Sequence, residues 1–116
     1  MKIAYIAHPV SGDVKGNIEK IIAIVREINI SEPEVVPFVP YLADLYALND
    51  DILEERTRGI KNDIHLLKSG FIDEIRLYGN RISNGMQAEI ELAEEMEIPV
   101  VAMSDEILKI NFKKHL

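Results

Sequence analysis

An open α/β domain built on a parallel sheet is the fold the sequence predicts, and three observations predict it. Short apolar runs at residues 2–7, 34–40, 72–78 and 99–103 alternate with stretches of helical periodicity. No internal repeat, low-complexity stretch or linker interrupts the 116 residues, so they read as one domain, 1–116. Two segments, Tyr5-Ile-Ala-His-Pro9 and Ser83-Asn-Gly85-Met-Gln-Ala-Glu89, each read as a buried strand or its loop passing into a helix. Strands alternating with helices call for right-handed crossovers, and ligands of such sheets sit outside the carboxyl ends of the strands. Both segments should therefore face one crevice.

The elements follow in order. Residues 2–7, bounded by His8-Pro9, have the pattern of a fully buried strand. Ser11-Gly-Asp-Val-Lys-Gly16 is turn chemistry. Ile18, Ile21, Ile22, Val25 and Ile28 then recur at helical spacing, which predicts an amphipathic helix over 15–28. A second strand at 34–40 carries two prolines. Residues 41–51 are irregular, with Tyr41 and Tyr46 among polar neighbours. Ile52, Ile60, Ile64 and Leu67 mark a long helix that stops near Ser69-Gly70. A third strand is expected at 72–78, a helix at 87–96 and a fourth strand at 99–103. From 104 onward the pattern is ambiguous: the alternation over 107–112 fits a fifth strand or a docking tail.

Composition narrows the functions. With 47% hydrophobic and 28% charged residues the chain is an ordinary soluble globular protein. A net charge of −7 argues against binding a nucleic-acid polymer, which normally needs a basic footprint. No cysteine is present, which removes disulfides, thiolate metal sites and a cysteine nucleophile, and fits a reducing, cytoplasmic setting. The apolar run at 3–7 is too short for a signal or membrane segment. His8, His65 and His115 show no metal-ligand spacing, and Asp50-Asp51 resembles a helix cap, so neither a catalytic metal nor a cofactor is expected.

Glu89 leads the candidate residues. A carboxylate near a helix N-terminus and beneath a glycine turn suits a carboxylate nucleophile attacking an anomeric carbon. It also suits a helix-favouring glutamate complementing the macrodipole. Asp63 lies near the apolar face of the long helix. It either faces the cleft or pairs with Arg56 or Lys61, because an uncompensated buried carboxylate is costly. Tyr5 sits inside the first strand, as a core tyrosine or as the hydrogen-bond partner of a catalytic carboxylate. The loop at 8–16, with Ser11, Gly12, Lys15 and Gly16, offers backbone amides to an anion at a helix N-terminus. Its spacing matches neither a Walker loop nor a dinucleotide fingerprint.

Taken together, these residues resemble the nucleoside 2-deoxyribosyltransferase superfamily, and most closely its small, uncharacterised phage and bacterial members. The family's first strand ends in a Tyr-Leu-Ala-Gly-Pro type of motif, here Tyr5-Ile-Ala-His-Pro9. A helical aspartate follows, here Asp63, and then an acidic turn, here Asp73-Glu74. A Gly-Thr/Met-x-x-Glu motif closes the set, here Gly85-Met-Gln-Ala-Glu89-Ile-Glu-Leu-Ala93. The resemblance implies that Glu89 attacks C1′ of a nucleoside, Asp63 handles the proton at the base and Tyr5 orients Glu89. It places His8, Ser11, Gly12, Ser83, Gly85 and Met86 against the substrate. Three positions depart from the family: His8 stands for a glycine, Glu91 for a small glycine and Met86 for threonine.

The expectation is a doubly wound, flavodoxin-like or Rossmann-like sheet of four or five mainly parallel strands. Its activity would be hydrolysis or transfer at the N-glycosidic bond of a nucleoside or nucleoside 5′-monophosphate. The alternative is a non-catalytic module that senses or sequesters a nucleotide-derived ligand. A receiver domain shares the topology but would need an acidic pair after the first strand, which is lacking. The partner is a small molecule, with no membrane. A homodimer or homotetramer is expected, because the long Ile/Leu-rich helix carries surplus apolar surface and the tail at 107–116 has no place in a four-stranded core.

Overall fold

The computed structural model describes residues 1–110. Four parallel strands, β1 (Lys2–Ala7), β2 (Val35–Phe38), β3 (Glu74–Leu77) and β4 (Val100–Ala102), form one sheet in the order β2-β1-β3-β4. Helix α1 (Val14–Ser31) joins β1 to β2. Helices α2 (Pro40–Ala47) and α3 (Leu53–Leu67) join β2 to β3, and α4 (Asn84–Glu95) joins β3 to β4. The chain is thus a doubly wound, Rossmann-like α/β domain. Strand order reverses between β1 and β3, and the crevice of such a sheet opens at that switch point.

Alternation along β1 divides the core. Ala4 and Ile6 face α1, packing with Ile28, Ile24, Val35 and Val39. Tyr5 and Ala7 face the other way, with Ile75 and Leu77 of β3, Leu67 at the end of α3, and Met86, Ile90 and Ala93 of α4. The register sets Tyr5 beside Phe38 on one side and Ile75 on the other. The rings of Tyr5 and Phe38 meet edge-on at 6.4 Å, and Phe71 continues the cluster at 5.6 Å from Phe38.

Two expectations are corrected. Residues 40–47 are not irregular but helical: Pro40 opens α2 at a position where its missing N–H is no loss. The apolar-polar mixture there hid the helix because it lies over the cleft and none of its residues is fully buried. Residues 105–109 form a short helix, α5 (Asp105–Lys109), instead of a fifth strand. The Ser104 hydroxyl accepts from the Ile107 amide and donates to the Gly79 carbonyl, which seats Ile107 in the core. The remainder of the expected strand or tail, with Asn111, Phe112, Lys113 and Lys114, lies outside the described residues.

The face toward α1 holds buried charges. Arg76 of β3, 5% exposed, donates Nη1 and Nη2 to the carboxylate of Glu32 at 2.8 and 3.0 Å and Nε to Glu74. Lys2 completes the network on Glu74 at 2.8 Å. Among the described residues no helix is long and apolar enough to cross a membrane.

Candidate active site

A cleft of about 940 Å³ opens at the carboxyl ends of β1 and β3, walled by α2, α3 and α4. The β3–α4 connection turns at Gly79, φ +95°, where an added Cβ would come within 2.6 Å of the Pro9 ring. Only glycine lets this loop pass so close to the end of β1. Ser83 then caps α4, its hydroxyl accepting from the Met86 amide at 3.2 Å. The cap fixes the start of α4, so Glu89 in its second turn faces the cleft while Ile90 and Ala93 enter the core.

Glu89 and Asp63 both line this cleft. The Glu89 carboxyl is enclosed by protein although the residue keeps some contact with solvent. Burial pushes its pKa up to about 8, with the Tyr5 hydroxyl pulling it down and Asp63 pushing it further up. Burial also raises Asp63 to about 7, helped by Asp44 of α2. No ion pair joins Asp63 to Arg56 or Lys61 among the described residues, which leaves the cleft-facing alternative. One Asp63 oxygen, Oδ1, is buried with no hydrogen-bond partner.

Tyr5 is fully buried, and its hydroxyl likewise has no partner in hydrogen-bonding geometry. Phenol and carboxyl nevertheless sense each other. Burial raises the Tyr5 pKa most, and Glu89 and then Asp63 raise it further. The arrangement is a close approach of Tyr5 to Glu89 and not a formed bond. Tyr41, beside Tyr5 at 6.1 Å, donates to the Ile6 carbonyl at 2.7 Å and so ties α2 to β1.

The expected substrate contacts divide. His8, Ser11, Ser83, Gly85 and Met86 line the cleft, whereas Gly12 does not. His8 is buried, and its Nδ1 lies 2.6 Å from the Pro9 carbonyl. A carbonyl only accepts, so Nδ1 carries the proton and Nε2 of the neutral ring is an acceptor. Burial lowers the His8 pKa and favours that neutral ring. Ser83 is engaged as the α4 cap, and Met86 is 1% exposed and belongs mainly to the core.

The anion cradle expected at α1 is altered. Asp13 caps that helix, its carboxylate accepting from the Gly16 amide at 3.1 Å. A negative charge thus occupies the helix N-terminus, and Lys15 and Gly16 stand outside the cleft. Arg81 bridges the two loops by donating to the Ser11 carbonyl at 3.0 Å.

Sequence reasoning passed over Asp44 and Tyr41. Their spacing of three residues puts both on one helical face, a signal that needed α2 to be recognised first. Among the described residues no group of three or more His, Cys, Asp or Glu side chains is placed to hold a metal ion.

Fold and cleft define an open-sheet α/β protein with two carboxyls of raised pKa and a buried phenol near its switch point. Residues 2–103 match the family described as a domain of unknown function (DUF7768), and the chain belongs to that family. Among curated proteins no match is found.

Proposed function

We propose that the cleft cleaves or transfers at the N-glycosidic bond of a nucleoside, with Glu89 as nucleophile, Asp63 as proton carrier and Tyr5 as the group that orients Glu89. One observation carries this reading: two carboxyls with raised proton affinity line a cleft roomy enough for a nucleoside, and a buried phenol within electrostatic reach of both has no partner in hydrogen-bonding geometry among the described residues. Closure of the Tyr5 hydroxyl onto Glu89 favours the charged form there, while Asp63 in its protonated form keeps a proton to give. An Oε of Glu89 then attacks C1′, the C1′–N electron pair goes to the base, and Asp63 supplies the proton the base takes up. Water, or a second base, attacks C1′ in turn and returns the electron pair to Glu89.

A second reading, a non-catalytic module for a nucleotide-derived ligand, draws on the same pKa placement. A glutamate titrating near 8 is mostly protonated at neutral pH and is then no nucleophile. Exposed Tyr46, Leu53 and Ile60 on α2 and α3 support self-association as a homodimer or homotetramer.

Chromatographic detection of free base, after incubation with nucleosides, deoxynucleosides and their 5′-monophosphates, tests the proposal. Base release lost in Glu89→Ala is the expected result. Tight binding with no release from any substrate would move the assignment to the binding module.

A further inference from the structure

We infer that the ligand of this cleft carries a positive charge where Glu89 and Asp63 meet it, which makes its substrate class the cationic N-glycosides, such as a pyridinium or N7-alkylated purine riboside. The inference rests on the reading proposed above and narrows it.

The charges of the cleft carry the argument. Its inner wall holds three carboxyls from three helices: Asp44, Asp63 and Glu89. Asp50, Glu91 and Glu95, all exposed, line its outer part. Against these six, among the described residues, stand Arg56, Lys68 and Arg81, also exposed. None of the three cations is among the groups that act on Asp63 or Glu89, and Arg81 is tied to the Ser11 carbonyl. His8, the remaining basic group of the wall, is held neutral by its burial. Tyr5 and Tyr41, facing the pair from β1 and α2, contribute no positive charge.

Independent of the acidic cluster, the fully buried Tyr5 hydroxyl, within electrostatic reach of Glu89 and Asp63, has no partner in hydrogen-bonding geometry among the described residues, and Asp63 Oδ1 is likewise an unpaired acceptor. A neutral donor can satisfy Asp63 Oδ1 but leaves the charge imbalance of the wall in place. A cation supplies what the inner wall lacks, and it favours the ionised form of both carboxyls.

The chemistry agrees. With a cationic leaving group, Glu89 Oε bonds to C1′ as the C1′–N pair moves onto the ring nitrogen, which becomes neutral. No proton is needed at the base. Water then attacks C1′, the C1′–Oε pair returns to Glu89, and the proton from water passes through Asp63 to solvent. Glycoside cation and water give sugar, neutral base and one proton.

The test uses the wild-type chain and calorimetry with 1-methylnicotinamide, a cation, against neutral nicotinamide, together with turnover of nicotinamide riboside against uridine and inosine. At pH 8.5 the cation should bind at least about tenfold tighter, a difference of roughly 1.4 kcal/mol. The preference should shrink at pH 5.5, where both carboxyls hold protons. At pH 7, titrations in buffers of different ionisation enthalpy should show proton release with the cation alone. Asp44→Asn and Asp63→Asn, checked for folding by circular dichroism, should each reduce the preference. Equal affinity for the two probes, or binding of neither, would overturn the inference. Faster cleavage of uridine or inosine than of the pyridinium riboside would also overturn it, yet leave the N-glycosidase reading standing. Preferential cation binding with no glycoside cleaved would support the charge preference and discard the reaction.

Discussion

Glu89→Gln should make the protein more stable at alkaline pH, and the cleft sets the size of the gain. A rise in pKa from 4.5 to about 8 means that the folded protein binds this proton more tightly than the unfolded chain does. Linkage fixes the sign. Below about pH 4.5 both states are protonated and the carboxyl costs nothing. The penalty grows as pH rises through the unfolded value and is complete above about 8. At about 1.4 kcal/mol per tenfold change the ceiling is roughly 4–5 kcal/mol. Water reaches the carboxyl through the open cleft and weakens the burial term, so about 2 kcal/mol is expected. Glutamine keeps the shape and removes the charge. Urea unfolding of both proteins at pH 4 and pH 8.5 reads the difference directly. With a slope of about 2 kcal/mol/M, the variant midpoint should rise by roughly 1 M at pH 8.5 and stay nearly unchanged at pH 4. A variant equally stable or less stable than wild type at pH 8.5 would refute the enclosure of this carboxyl.

Tyr5→Phe removes a hydroxyl that has no partner, so stability should hold within about 1 kcal/mol or improve, while base release falls by roughly ten- to a hundredfold if Tyr5 orients Glu89; thermal melts and initial rates separate the two effects. Ser83→Ala takes away the α4 cap and should cost about 1 kcal/mol in denaturant unfolding. Gly79→Ala forces a Cβ to within 2.6 Å of the Pro9 ring at φ +95°, and a loss of roughly 2–4 kcal/mol should appear in the same assay.

Much of this architecture could be read directly from the sequence. The run at 2–7 read as a fully buried strand because it is apolar from Ile3 onward and ends at His-Pro, and it became β1, with a neighbour on each side. Ser69-Gly70 marked the stop of α3, where Gly70 takes φ +89°. Helix α2 was missed because its residues serve a cleft wall and only partly a core, so periodicity had little to report. Ile60 and Ile64 gave the right helix and belong to its expected surplus of apolar surface: they are 52% and 41% exposed and line the cleft, while Leu67 alone enters the core from that stripe. Glu74 and Arg76 could not be foreseen as buried, because Arg76 bridges Glu74 to Glu32, which lies 44 residues away along the chain. The cleft placement of Glu89 was legible and that of Asp63 stood as one of two alternatives, whereas the capping role of Asp13 at the supposed anion loop became visible only in three dimensions.

The two faces of the sheet treat enclosed carboxylates in opposite ways. Toward α1, Arg76 grips Glu32 through both terminal nitrogens and Glu74 through Nε, and Lys2 adds a second cation to Glu74. Bidentate, charge-assisted bonds of this kind satisfy both partners. Hydrogen bonding to Arg76 holds Glu32 below the usual carboxylate range, and for Glu74 the bonds from Lys2 and Arg76 outweigh the upward push of burial. Their contribution to stability is present above the ordinary carboxyl pKa and fades as pH falls through the lowered values. Toward the cleft, no cation among the described residues acts on Glu89 or Asp63, and their contribution runs the other way. The same small domain can pair its buried charges, as Arg76 demonstrates. Leaving two carboxyls unpaired at the switch point costs stability at neutral pH and supports no packing that glutamine and asparagine could not supply. On the cation preference we infer, the compensation these carboxyls lack is the property a ligand of the cleft would bring.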